Sequence, residues 1–141
     1  MAAGDTSLMF DYGRQAFAQG LVAWKASAGS TIKSMLTDAT DVDPNTVYST
    51  ANAMDDMTAA RVGSDFTHTL VDAYSTGACD ADDAVFTSVT GDQVEGITLY
   101  KFVSNDAGST PLVYITFTAV TPNGGNITVT WQGTSPYIFR L

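Results

Sequence analysis

The side chains able to do nucleophilic or acid–base chemistry are few. His68 is the only histidine and Cys79 the only cysteine. A serine–histidine–acid relay needs its imidazole beside a nucleophile, and no Gly-x-Ser-x-Gly elbow occurs. His68 lies in Asp65-Phe66-Thr67-His68-Thr69-Leu70-Val71, whose Thr and aromatic content suits a strand, and it reads as an ordinary strand residue. Fourteen of the fifteen acids are Asp, Glu95 being the exception. So many aspartates bring two carboxylates together in almost any fold, so a glycosidase-like pair has no specificity here. No catalytic residue is assigned, and the expectation is that the chain is not an enzyme. Cys79 sits in Gly77-Ala78-Cys79-Asp80, which reads as a turn. Its acidic neighbours oppose thiolate formation, and a lone cysteine excludes an internal disulfide or a multi-cysteine metal site.

Metal ligation has one candidate stretch. Asp41-Val42-Asp43-Pro44-Asn45 places oxygen donors at alternate positions, as at the start of a calcium loop. Thr46 stands where the sharp-turn glycine belongs and Asn52 where the bidentate acid belongs. Asp41, Asp43 and Asn45 are therefore candidates for a loosely held Ca²⁺, beside the plainer reading of a solvated turn. Asp80, Asp82 and Asp83 form a second acidic cluster. The Gly124-Gly125 pair precedes a strand and lacks the lysine of a phosphate loop, so no cofactor is expected.

The elements that must position these groups are mostly β. The 141 residues fit one domain. Apolar residues make up 45% and charged residues 15%, which is lean in charge and too apolar for disorder. Asp favours turns and caps where Glu favours helix interiors, so the acid bias points to a loop-rich β protein. Residues 1–10 read as a flexible N-terminal arm and residues 11–141 as a single β-sandwich-like domain. A short helix fits Tyr12 to Gly20, closed by its glycine, and a helical turn or two fits Ser49 to Met57 with Ser49 or Thr50 as N-cap. Strands are expected at Thr31–Asp38, Asp65–Val71, Ala84–Val89, Val94–Phe102, Pro111–Thr118, Ile127–Trp131 and Tyr137–Leu141. Turns are expected at Ser104–Ser109 and Thr121–Asn126. About seven short strands with frequent turn signals give a mainly β class: an antiparallel sandwich, jelly-roll-like, with one or two short helices in the N-terminal half.

Charge narrows the partners. Six Lys and Arg face fifteen acids, for a net charge of −9, and the cations never cluster. A nucleic-acid binder needs a basic footprint, and an anionic membrane surface is disfavoured likewise. No apolar run approaches the roughly 18 residues of a membrane span, and no signal peptide is expected. After Asp106 the only charged side chain is Arg140. A surface so bare, with few lysines to protect sheet edges, is expected to be covered by another chain. Trp131, Tyr137, Ile138, Phe139 and Leu141 are the candidate interface residues, in or beside the core that supports such a surface.

Several stretches resemble, in order, a family of small virion proteins of tailed bacteriophages. They are Tyr12-Gly13-Arg14-Gln15-Ala16-Phe17, Ile32-Lys33-Ser34-Met35-Leu36 and the run Ala81 to Asp92. Val94 to Lys101, Thr121 to Trp131 and the final Tyr137-Ile138-Phe139-Arg140-Leu141 continue it. The match is weakest over residues 40–75, and its motifs are structural, so no catalytic residue carries over. The resemblance implies a particle component, assembled in the host cytoplasm and located on the capsid surface or tail. A capsid decoration protein is favoured, with itself (a trimer) and the major capsid protein as partners. A tail, neck or fibre-adaptor protein and a carbohydrate-binding host-surface module are the alternatives.

Overall fold

The computed structural model describes residues 2–3, 7–72, 77–131 and 137–141, with the backbone alone described for 2–3. The chain is mainly β. Its centre is a hairpin of two long strands, β8 (Val94–Val103) and β9 (Asn105–Val120). Strand β3 (Ile32–Thr37) pairs with β8, β4 (Arg61–Thr67) with β3, and β2 (Ser7–Met9) with β9, all antiparallel. The five-stranded order is β2-β9-β8-β3-β4. Two three-stranded sheets accompany it. One is β1 (Ala2–Ala3), β10 (Ile127–Trp131) and β7 (Ala84–Phe86), in which only the β1–β10 pair is parallel. The other is β11 (Phe139–Arg140), β6 (Ala78–Ala81) and β5 (Leu70–Val71), antiparallel throughout.

The period-two rule divides the large sheet into two apolar faces. Leu36, Ile97, Leu99, Val113 and Ile115 form one face and pack with Phe86, Val129 and Phe139 of the small sheets. This is the sandwich. Met35, Tyr100 and Tyr114 form the other face, under Phe10, Met54 and Met57. The helical pieces cover that second face or flank it: α1 (Asp11–Ala18), α2 (Pro44–Val47) and a 3-10 helix (Met54–Ala60). A sheet with both faces covered carries near-continuous apolar runs, as Leu112 to Ile115 does in β9, every residue there being buried. Burial of this kind is worth about 1.5–3 kcal/mol per large side chain. Two glycines permit close approaches. A Cβ on Gly13 would lie 2.8 Å from the Leu112 Cα and the Pro111 carbonyl oxygen, so α1 can sit directly on the backbone of β9. A Cβ on Gly96 would meet the Tyr114 ring at 2.5 Å.

Several expectations are corrected. The strand expected over Asp65–Val71 is broken: β4 ends at Thr67 and β5 begins at Leu70, so His68 lies in the link between them. The link bends because the His68 amide donates to the Ile32 carbonyl (2.9 Å) while the Thr69 amide donates to Asp82 (2.8 Å). Cys79 is in β6 rather than a turn, held by pairing with β5 and β11. The helical turn expected over Ser49 to Met57 is the 3-10 helix Met54–Ala60, whose N-cap is Ala53 with no side-chain bond rather than Ser49 or Thr50. A separate helix, α2, is capped by Asp43, whose carboxylate accepts from the Asn45 amide, and opened by Pro44. Of the turn expected over Ser104–Ser109, the reversal falls at Ser104, at φ 56°, and the residues after it form the irregularity that shifts the β8–β9 register between Lys101 and Val103, with the Gly108 amide donating to the Asn105 side chain (2.9 Å). The Ser109 hydroxyl donates to the Asn105 carbonyl (2.6 Å) and accepts from the Val103 amide (3.0 Å), which closes this irregular start of β9. The segment expected as an arm carries β1 and β2. Ser88, at φ 51°, stands two residues past the end of β7 at Phe86, short of the expected Val89.

Candidate functional site

Three places gather functional side chains. The first is a serine–imidazole–carboxylate line. The Ser34 Oγ lies 2.9 Å from His68 Nε2. His68 Nδ1 lies 3.3 Å from the Asp82 carbonyl oxygen and 3.4 Å from its carboxylate. Both neighbours of Nδ1 are acceptors, so Nδ1 carries the proton and Nε2 accepts from the serine hydroxyl. Burial pushes the His68 pKa below its ordinary 6.5, with Asp82 opposing. The imidazole is therefore neutral at pH 7, and its contact with Asp82 is a hydrogen bond rather than an ion pair. The polarity matches a hydrolase relay, but access does not. Ser34 is 0% exposed, in mid-strand opposite Leu99. The His68 ring is wedged between Phe66 (4.9 Å) and Trp131 (5.9 Å). A substrate carbonyl cannot reach the Ser34 Oγ, and what the line does is tie β3 to the β4–β5 link and to the loop after β6.

The second place is acidic. Ligand oxygens of Asp38, Asp41 and Asp92 lie within 4.8 Å of one another. The sequence pointed to Asp41, Asp43 and Asn45. Asp41 instead groups with Asp38 and Asp92, while Asp43 and Asn45 are engaged in the α2 cap. Asp92 was not foreseen, because it is brought in from the turn before β8. Asp38 is buried, and its Oδ1 accepts from the Thr40 amide (2.8 Å) and hydroxyl (2.5 Å). With one ligand oxygen from each, the three carboxylates would supply half or less of the six to eight oxygens that Ca²⁺ takes.

The third place is a groove of about 580 Å³ between β2, α1 and β11. Met9, Phe17, Val113, Phe139 and Leu141 line it, with Arg14 and Arg140 among its polar residues. Here the sandwich stands open, because β2 is the edge of the large sheet and β11 the edge of a small one. Leu141 is 62% exposed, whereas Phe139 is buried edge-on against Trp24 (5.3 Å) and Phe17 (6.0 Å). The Arg14 guanidinium pairs with Asp11 (2.9 Å), and that of Arg140 stacks over the Tyr137 ring (4.5 Å). Of the five interface candidates, Phe139 and Leu141 line the groove. Trp131 and Ile138 are in the core, and Tyr137 is half-buried beside Arg140. Met9 and Phe17 were missed as groove residues, since nothing local says that β2 and α1 flank the last strand.

Cys79 is buried and its thiol pKa is pushed up to about 12 by desolvation. It is an inert packing residue. No protein-family model matches the chain, and no curated protein matches it. Among the described residues no helix is long and apolar enough to cross a membrane.

Proposed function

We propose that this chain is a virion structural subunit of a tailed phage, a capsid decoration protein that assembles as a homo-oligomer, a trimer, on the shell. The resemblance of the strand and turn motifs supports the particle assignment. The oligomeric part is carried by the open groove, an apolar seam between two sheet edges that is flanked by Arg14 and Arg140 and ends on the exposed Leu141. The relay-like line contributes no accessible nucleophile, so its geometry gives no support to a hydrolase. Of the aromatic residues that a carbohydrate platform would use, Trp131 and Phe139 are buried, and Tyr137 is half-buried with Arg140 over its ring.

Quantitative mass spectrometry of purified virions tests the placement. A copy number comparable with the major capsid protein is expected. A far lower number overturns decoration in favour of a neck, tail or fibre position. The groove is tested separately by Leu141→Asp, chosen because its side chain is exposed and its loss leaves the core intact. The variant should fold with wild-type stability and lose its oligomeric state in native mass spectrometry. A stable, fully oligomeric variant refutes the groove as the interface.

A further inference from the structure

We infer, on the oligomeric reading above, that the groove receives the acidic outer edge of β7 from a second copy, so that copies join head to tail. The charge of the groove decides what it accepts. Arg14 and Arg140 line it, two of the six cationic side chains in the chain, and among the described residues no acidic side chain does. Arg14 is paired with Asp11. Arg140 donates to the Tyr137 hydroxyl (2.8 Å) and has no acidic partner among the described residues. In a chain with fifteen acids, this seam is cationic as well as apolar. A two-fold contact through it would set the arginines of one groove against those of the other, and like charges brought together at a contact are costly. The occupant is therefore a different face of the neighbour, with an exposed apolar side chain and acids beside it.

Strand β7 meets that description. It is terminal in its sheet. Ala84 and Phe86 turn into the core, and Val85 between them is 42% exposed. Asp82 and Asp83 stand directly ahead of it, both exposed. Neither has a lysine or arginine partner among the described residues. Asp82 accepts from the Thr69 amide (2.8 Å) and contacts the neutral His68, and Asp83 accepts from the Trp131 amide (3.3 Å). A carboxylate has about four acceptor sites, so both keep room for a guanidinium. The other places that combine an exposed apolar side chain with an acid are already engaged. Beside Val71 on β5, Asp72 is tied to the Ala26 amide (2.8 Å). Near Val103, Asp106 is gripped by Arg61. Beside Tyr12, Asp11 belongs to Arg14.

The two faces also match as backbone. The groove is walled by β11, itself terminal in its sheet, so a strand edge meets a strand edge, the kind of surface that recruits another strand. In the assembly Val85 lies against Leu141, and Asp83 against Arg140. Donor and acceptor are separate patches on one copy. Strand β7 is at one end of the β1-β10-β7 sheet, and β1, which leads into β2 at the groove, is at the other. A contact between unlike patches builds a ring when its rotation closes. In a trimer each copy offers one β7 edge and fills one groove.

The test uses the full chain with two single variants, Val85→Cys and Leu141→Cys, at exposed positions whose change leaves the core intact. Wild type, whose only thiol is the buried Cys79, is the control. Each protein, and an equimolar mixture of the two variants, is treated with a short bifunctional maleimide and run on a denaturing gel. Head-to-tail docking predicts covalent dimers from the mixture and none from either variant alone. The Val85→Cys, Leu141→Cys double variant should then give a ladder up to the native oligomer. Dimers from Leu141→Cys alone reveal a two-fold contact through the groove and overturn the inference. Oligomers that no combination cross-links overturn β7 as the occupant and leave the oligomeric reading standing. A chain that native mass spectrometry finds monomeric throughout overturns both.

Discussion

Arg61 holds the most concentrated polar network in the structure, and removing it should be expensive. Its Nε lies 2.9 Å from Asp65, and its two terminal nitrogens grip Asp106 at 2.6 and 3.0 Å. Tyr100 donates to Asp65, and Thr58 to Asp106 at 3.0 Å. The network joins β4, β8, β9 and the 3-10 helix. The Arg61 side chain is 20% exposed, Asp65 18% and Asp106 28%. Fully exposed ion pairs contribute about 0–1 kcal/mol, and breaking a fully buried pair costs about 3–5 kcal/mol. Arg61→Met leaves two mostly covered carboxylates without a counter-charge, so an intermediate cost of about 2–3 kcal/mol is expected. Urea unfolding followed by the fluorescence of Trp24 and Trp131 reads it. With an m-value of about 1–3 kcal/mol per molar, the midpoint should fall by about 0.7–3 M with m unchanged. The cost should also depend on pH. Hydrogen bonding to Arg61 holds the Asp106 carboxyl below its ordinary 3.8. That contribution is present above the ordinary value and lost as pH falls through the folded one. In the variant Asp106 has lost the partner that held its carboxyl low, so the gap between the two proteins should narrow from pH 7 to pH 3. Pairing Arg61→Met with Asp106→Leu should recover part of the loss. A cost under about 0.5 kcal/mol, or a gap that ignores pH, would refute the reasoning.

The other predictions concern packing and titration. Gly13→Ala should destabilise by about 1–3 kcal/mol in the same urea assay: the helix-propensity gain of up to about 1 kcal/mol is outweighed by a Cβ forced against the immobile backbone of β9. His68 has a folded pKa below 6.5 because burial favours the neutral ring. Its contribution is therefore full above the unfolded value and is lost as pH falls below it, since the unfolded chain takes up the proton first. His68→Gln should flatten the stability profile between pH 7 and pH 5 relative to wild type; an unchanged slope there would show that His68 is not the titrating group.

How much of this was legible depended on whether the signal was local. Ile127 to Trp131 alternates strictly, and β10 occupies those residues. The Tyr12–Gly20 helix is α1 to within two residues, with Gly20 just beyond it at φ 69°. Asp43-Pro44 was a local start signal too, but its oxygen donors invited a calcium reading that obscured the cap. Strand β6 was invisible, because Ala78-Cys79-Asp80-Ala81 has little β-propensity and is a strand only through its partners. The same holds for the groove and for the Ser34–His68–Asp82 line, each assembled from elements far apart in sequence. His68 as a residue was conspicuous; that Ser34 Oγ would face it depended on the β3–β4 register, which no single segment encodes.

The central position of the β8–β9 hairpin has a consequence for synthesis of the chain. Strand β3 can pair with β4 early, but its other edge waits for β8, which begins at Val94. At about 5–20 residues per second, the roughly 60 residues between them take about 3–12 s to be made. Through that interval the second edge of β3 stays unpaired, and while Phe10, Met54 and Met57 are already made to cover Met35, Leu36 lacks Ile97, Val129 and Phe139 of its core. The nascent chain is thus prone to aggregate before its central hairpin is translated, and slower elongation over residues 38–94 should lower the soluble yield.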